Sequence, residues 1–474
     1  MPTNEATTGS TAKAAPAAKG LDRALNALGT LMIVISAVTP ASSVFIIVPG
    51  VIALAGTGSF LSFVIAAVIG LFMAFVYAEL SSAYPMAGGE YTMIGRTLGR
   101  FWGFVTLVLV FVSIVLIVAV IALGVGTYLG VLIPNLSPQW VGVVTIGLAG
   151  TVAAMRIKLN AFVTGIFLGI EMLALLILTG LGFAHVERPL SSLFTSPQLL
   201  DATANTLVPA SAGLILASTA VSLFAYNGYG AAAYFGEETQ DARRNIGKVV
   251  LWALVITVAA ELIPLTAVLL GSPDLPGLLA APQKIEYFLE ARGGHALTVL
   301  ISLAIVVAIF NAVIAIILQA ARLLFSSGRD KTWFGPINAA VASVHGSYAS
   351  PWIATIVVAV LAALACFIDL NLLLVVSGTS LVVIYALLCV AVFAGRRNGT
   401  TAGGHYRMPL FPVPAVLAFV ALVYVAYQNL LDAAFGRPSL IATLLIMAVA
   451  AIYYLLILAR RTDWNLHGPD ELAG

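Results

Sequence analysis

Phe224-Ala225-Tyr226-Asn227-Gly228-Tyr229-Gly230 lies inside the sixth apolar segment of the chain, in a span that otherwise reads as membrane helix. Two glycines and an asparagine fall more than a dozen residues into that span. At about 1.5 Å of rise per residue, the stretch sits roughly 20 Å in, near the middle of a bilayer. Glycine weakens a helix by about 1 kcal/mol relative to alanine, so the pair flanking Tyr229 makes unwinding easy. Lipid cannot satisfy the amides and carbonyls that unwinding frees; a cavity, an ion or a bound solute must do so. The first apolar segment carries a second break at similar depth, Thr39-Pro40-Ala41-Ser42-Ser43. Interrupted segments in corresponding positions of two halves point to a solute site between them. The plainer alternative is that Pro40 only kinks a helix and the glycines serve close packing. Two breaks at one depth favour the site.

The rest of the composition fits a membrane protein. A mean hydropathy of +1.07, with 61% hydrophobic and 9% charged residues, excludes an ordinary soluble domain, where about a quarter of residues are charged. Cys366 and Cys389 both fall inside apolar segments, which points to a structural role and to neither a disulfide framework nor a metal cluster. No cofactor, catalytic residue or nucleic-acid partner is expected. Residues 1–20 lack the apolar core of a signal peptide and read as a disordered cytoplasmic tail.

Apolar runs long enough to cross a bilayer fall near 28–53, 59–80, 101–133, 139–155, 161–184, 210–236, 247–271, 296–326, 352–369, 371–395, 411–431 and 439–459. The divide at Asp369-Leu370-Asn371 is the shortest. With the N-terminus placed inside, only Arg188, Lys284, Arg292 and Arg437 of the 22 basic residues fall outside. That bias predicts twelve spans with both termini cytoplasmic. Segments one to five and six to ten overlay break on break, and an odd number per unit makes the second unit inverted. The expected organisation is a tail (1–24), a first repeat (25–200), a second repeat (201–395) and a final portion with segments eleven and twelve and a cytoplasmic C-terminal tail (396–474).

Four stretches carry a family resemblance. The second segment ends Ala78-Glu79-Leu80-Ser81-Ser82-Ala83-Tyr84-Pro85-Met86-Ala87-Gly88-Gly89-Glu90-Tyr91. Segment six is followed by Glu237-Glu238 and Arg243-Arg244-Asn245-Ile246. Segment eight ends Ala321-Arg322-Leu323-Leu324-Phe325, then Gly328-Arg329-Asp330, and segment ten holds Ser377-Gly378-Thr379-Ser380-Leu381. In this order and spacing the chain resembles the amino acid–polyamine–organocation transporter superfamily, in particular its amino acid permease branch, from about Leu28 to Gly395. The resemblance implies an all-α polytopic membrane protein with a five-plus-five inverted repeat and discontinuous first and sixth helices. It also implies uptake or exchange of amino acids or related amines across the plasma membrane by alternating access. One departure is local. The family's first break is usually a Gly-Ser-Gly type turn, and Ala41-Ser42-Ser43 leaves less room for backbone approach.

For a zwitterionic amino acid, the freed amides of Ala41, Ser42 and Ser43 would receive the carboxylate at a half-helix N-terminus. The carbonyls of Phe224, Ala225 and Asn227 would receive the ammonium, which can also rest over an aromatic face. Thr39, Tyr226 and Gly228 complete the expected substrate-binding set, and Tyr229 is a further candidate for the pocket or the cytoplasmic path. The family motif makes Phe224 the aromatic gate over the substrate. Glu79, Glu171 and Glu261 are acids in or against membrane segments, and such groups are functional candidates because burying a carboxylate is costly. Glu171 is the expected proton-coupling residue. It lies close to where several relatives of the resembled family have a lysine thought to replace a sodium ion, and here the sign is reversed. The resemblance disfavours sodium: sodium-coupled relatives place hydroxyl side chains on the eighth helix facing the first break, and this chain has no Ser or Thr between Leu303 and Phe325 to supply such oxygen ligands. Asn311 can instead hydrogen-bond across helices. Glu237, Glu238, Arg243, Arg244, Arg322 and Arg329, at the cytoplasmic ends, are expected to form an inner ion-pair network that opens and closes with the transport cycle; plain solvated flanks are the alternative. A polyamine or other organic cation carrier is the alternative. A channel, a transport-like sensor and a membrane enzyme are remoter, and no phosphate-binding Gly-rich loop suggests ATP dependence.

Overall fold

The structure, a computed structural model, describes residues 21–133, 135–201, 204, 206–433, 436–469 and 471. The expected N-terminal tail therefore lies outside the described residues up to residue 20. The chain is mostly helical. Its longer helices are α1 (Ala27–Val38), α2 (Ser59–Ala83), α3 (Arg100–Leu132), α4 (Pro138–Ala153), α5 (Ile157–Ala184) and α6 (Ala212–Ala225). They continue with α7 (Ala242–Gly271), α8 (Lys284–Arg329), α9 (Trp352–Ala365), α10 (Leu370–Arg397), α11 (Val413–Leu431) and α12 (Gly436–Leu456). Among the described residues, eight helical stretches are long and apolar enough to cross a membrane, and Pro138–Ala153 and Trp352–Ala365 are shorter apolar helices. The protein is an integral membrane protein.

Local chemistry sets the boundaries. The Asn26 side chain accepts from the Gly29 amide at 2.8 Å and caps α1, and Ser211 caps α6 on the Leu214 amide. Pro138 starts α4 at a position where its missing amide costs nothing. Asp369-Leu370-Asn371 does separate two helices, since α9 ends at Ala365 and α10 starts at Leu370. Gly294, at φ 75° and ψ 170°, interrupts α8 and sets off its first turns from the long run to Arg329.

α8 lies deep and α12 at the periphery. The most apolar window of α8 is 67% buried within the protein, against 11% for that of α12. Asn311 of α8 donates to the Ser36 hydroxyl at 2.9 Å and the Thr164 carbonyl at 3.3 Å, tying α8 to α1 and α5. The connection near 185–209 holds a feature absent from the sequence reading, an antiparallel hairpin pairing Gln198–Asp201 with Thr206–Pro209. At the same end Arg292 bonds Glu187 and holds that carboxyl below the usual range. Leu25 pairs with the strand-like turn at 238–240, its amide donating to the Glu238 carbonyl at 2.9 Å.

Candidate functional site

The first break is one residue wide. Thr39 adopts φ 51° and ψ 70°, ending α1, and helix resumes at Pro40 before a wide turn at Ser43–Ile47. Proline has no amide to give, and the Ala41 amide turns away from its own helix. It donates to Glu171 Oε1 of α5 at 2.8 Å, and the Thr39 hydroxyl donates to the same oxygen at 3.3 Å. The Ser42 and Thr39 hydroxyls lie 2.7 Å apart. This corrects the expectation of three free amides. The Ala41 amide is held by Glu171, and the Ser43 amide bonds the Thr39 carbonyl at 3.1 Å, as in an ordinary turn.

The second break follows α6. Gly228 adopts φ 124°, a conformation rare for other residues, and a tight helical stretch runs from Tyr229 to Phe235. A Cβ on Gly228 would fall 2.9 Å from Val38 Cγ2, so glycine lets the two breaks approach closely. Ser43 closes the junction by donating its hydroxyl to the Ala225 carbonyl at 3.2 Å. The Tyr385 hydroxyl of α10 donates to Asn227 Oδ1.

Between the breaks lies a cavity of about 780 Å³. Thr39, Ser42, Ser43, Phe224, Ala225, Asn227 and Gly228 line it. Ala41 and Tyr226 do not. Ala41 is fully buried against Glu171, and Tyr226 is buried with its ring edge on Phe63. Tyr229 is likewise buried behind Tyr77. The cavity reaches the surface beside the exposed Glu290 and His295, near the start of α8, and runs down to Gln319, Tyr77, Tyr234 and Glu90.

Beyond that floor the bundle is closed by ion pairs. Arg322, fully buried, makes a bidentate pair with Glu238 at 2.5 and 2.8 Å and lies over the Phe235 ring. Arg329 bonds Glu237 at 2.7 Å. Arg396 makes a second bidentate pair with Glu79, at 2.7 and 2.6 Å. Glu79 is thus a paired acid, in contrast to Glu171 and Glu261. Glu261 of α7 is fully buried, and neither of its oxygens has a hydrogen-bond partner; its polar neighbours include Ser43, Glu171 and Tyr226. Glu90 is the acid that the sequence reading passed over. Gly88-Gly89 folds the chain back, so an acid just past segment two returns to the cavity. The only signal for this is that glycine pair. Among the described residues no group of His, Cys, Asp and Glu could hold a metal.

A pocket between two interrupted membrane helices, open at one end and sealed by charge pairs at the other, defines a membrane carrier. The model of the family described as "Amino acid permease" matches residues 25–458, and the chain belongs to that family. It is similar to the branched-chain amino acid permease BcaP of Bacillus subtilis, 22% identical with 94% of this chain and 95% of the relative covered. It is also similar to two other Bacillus subtilis proteins. The methylthioribose transporter is 24% identical, over 86% of this chain and 89% of the relative. The serine/threonine exchanger SteT is 25% identical, over 87% and 92%.

Proposed function

We propose that this protein moves amino acids or related amines across the plasma membrane by alternating access, with proton coupling or exchange. The observation that carries the reading is the cavity itself, which joins both breaks and is closed at one end by the Arg322–Glu238, Arg329–Glu237 and Arg396–Glu79 pairs. Splitting Ala27–Ala83 at the Gly56–Gly58 turn, and adding the two shorter apolar helices and Ala212–Phe235, gives twelve crossings. α1–α5 and α6–α10 would then be inverted repeats, with both termini and the ion pairs on the cytoplasmic side. In that frame the cavity faces outward.

The substrate would contact Thr39, Ser42, Ser43, Phe224, Ala225, Asn227 and Gly228, with Phe224 swinging over it as the outer gate. Glu171 would carry the coupling proton. Its carboxylate already occupies the Ala41 amide, a donor that an incoming substrate carboxylate also wants. Two acceptors competing for one donor link substrate binding to the charge on Glu171. Asn311, a polar group of α8 facing α1 and α5, spends its NH₂ on Ser36 and Thr164 and leaves Oδ1 without a hydrogen-bond partner, so the preference for protons rests on Glu171. The test is uptake of a radiolabelled amino acid and amine panel into proteoliposomes, with and without an outside-acid pH gradient. Saturable, gradient-driven accumulation is expected. Absence of saturable uptake for every solute overturns the reading.

A further inference from the structure

We infer that the cavity selects solutes bearing net positive charge, with Glu90 as the counter-charge at its floor; the inference rests on the carrier reading above. Glu90 is only 6% exposed yet lines the cavity. It is held by two phenols: Tyr77 donates to Oε1 at 2.8 Å, and Tyr234 donates to Oε2. Gly89, at φ 50°, makes this possible, because a Cβ there would run into the Tyr234 ring. The rings are fixed in turn, Tyr77 standing edge-on to both Tyr229 and Tyr385.

No arginine or lysine is bonded to Glu90 among the described residues, whereas Glu79, Glu237 and Glu238 each have one. A carboxylate has about four acceptor sites, and the phenols fill two. Glu90 lines the cavity, so a solute there can take up what remains. Elsewhere on the wall the acids are Glu286 and Glu290, the second 3.2 Å from His295 at the mouth, and no Lys or Arg is among the described lining residues. A narrow apolar cleft with acids of one sign focuses a negative potential and concentrates cations. An ammonium arriving at the floor would also meet the Tyr77 and Tyr234 rings. A neutral amino acid cancels its own charge, whereas a basic amino acid or a diamine brings the charge that the cavity lacks.

Uptake by purified protein in proteoliposomes is measured for L-lysine and putrescine, L-leucine and L-serine, and L-glutamate. The cationic probes are expected to give the highest kcat/KM, and L-glutamate the lowest. Glu90→Gln keeps the shape and removes the charge, so the cationic-to-neutral ratio of kcat/KM should fall at least about tenfold, as for a lost hydrogen bond to a charged group. A wild type that prefers neutral solutes, or an unchanged ratio in Glu90→Gln, overturns the inference while leaving the carrier reading standing. A wild type that carries none of the probes overturns both. Competition against wild-type uptake, in which cationic amines should inhibit before neutral ones, needs no variant and decides the matter if Glu90→Gln does not fold.

Discussion

Two sets of glutamates, all buried except the half-buried Glu237, divide this molecule. Toward the end where α8 finishes, Glu79, Glu237 and Glu238 each meet an arginine at 2.5–2.7 Å. Around the breaks, Glu90, Glu171 and Glu261 are as deeply buried, and none is bonded to a Lys or Arg among the described residues. Burying a carboxylate is costly in either place. In the first set the protein supplies the compensating charge itself, and the pairs close one end of the bundle in this state. In the second, hydrogen-bond donors do part of that work at Glu90 and Glu171, and under the proposed function a proton or a cationic solute supplies the rest. Under the proposed function the same residue type would serve as a lock at the closed end and as a loading site around the breaks, and the arginine tells them apart.

The sharpest way to break this division is to treat the first set as dispensable. Arg322→Ala leaves Glu238 charged, buried and alone, which should cost about 3–5 kcal/mol. Thermal unfolding in detergent and the monodisperse fraction on size-exclusion chromatography would measure it. Adding Glu238→Gln should recover part of the loss, because it removes the orphaned charge. A stable Arg322→Ala protein would mean that the pairs are not structural.

Glu171→Gln probes the second set. The expected result is a folded carrier whose uptake no longer responds to a pH gradient. One proton per solute across one pH unit is worth about 1.4 kcal/mol, or about tenfold accumulation, and that increment should vanish. An intact pH response in the variant would remove Glu171 from coupling. Smaller in effect is Gly228→Ala. At φ 124°, with Val38 Cγ2 2.9 Å from the new methyl, the strain should be about 1–2 kcal/mol. It acts where the breaks touch, so the maximal uptake rate should fall more than the expression level does.

Much of the frame was legible in the chain. Proline and glycine carry their backbone consequences locally, and the breaks fall at Thr39-Pro40 and at Gly228, where the sequence places them. Each apolar run overlaps a helix, the first and sixth running on past their breaks, and eight helical stretches among the described residues are long and apolar enough to cross a membrane. What could not be read is who meets whom. Glu79 looked like a free acid because its partner, Arg396, is 317 residues away. The Ala41 amide looked free because Glu171 reaches it across 130 residues. Glu90 looked like part of a loop, because only folding returns residues after Gly88-Gly89 to the cavity. Backbone polarity is a local property, whereas the pairing of charges is decided by packing.

The gentlest test of the division is Glu261→Gln. Neither oxygen of Glu261 has a partner in good hydrogen-bond geometry, Ser43 being the polar neighbour beside it, so the substitution removes little bonding, and the amide has nearly the same shape. The stability change should stay within about 1 kcal/mol, and it can be favourable if the new NH₂ finds the Ser43 hydroxyl. The matched comparison is Arg322→Ala on the same melting curve: a large loss for the paired arginine, little for the unpaired acid. A drop of more than about 2 kcal/mol in Glu261→Gln would mean that its carboxylate is bonded in the folded protein. Glu261 would then belong with the locks, and Glu90 and Glu171 alone would remain as sites that wait for charge.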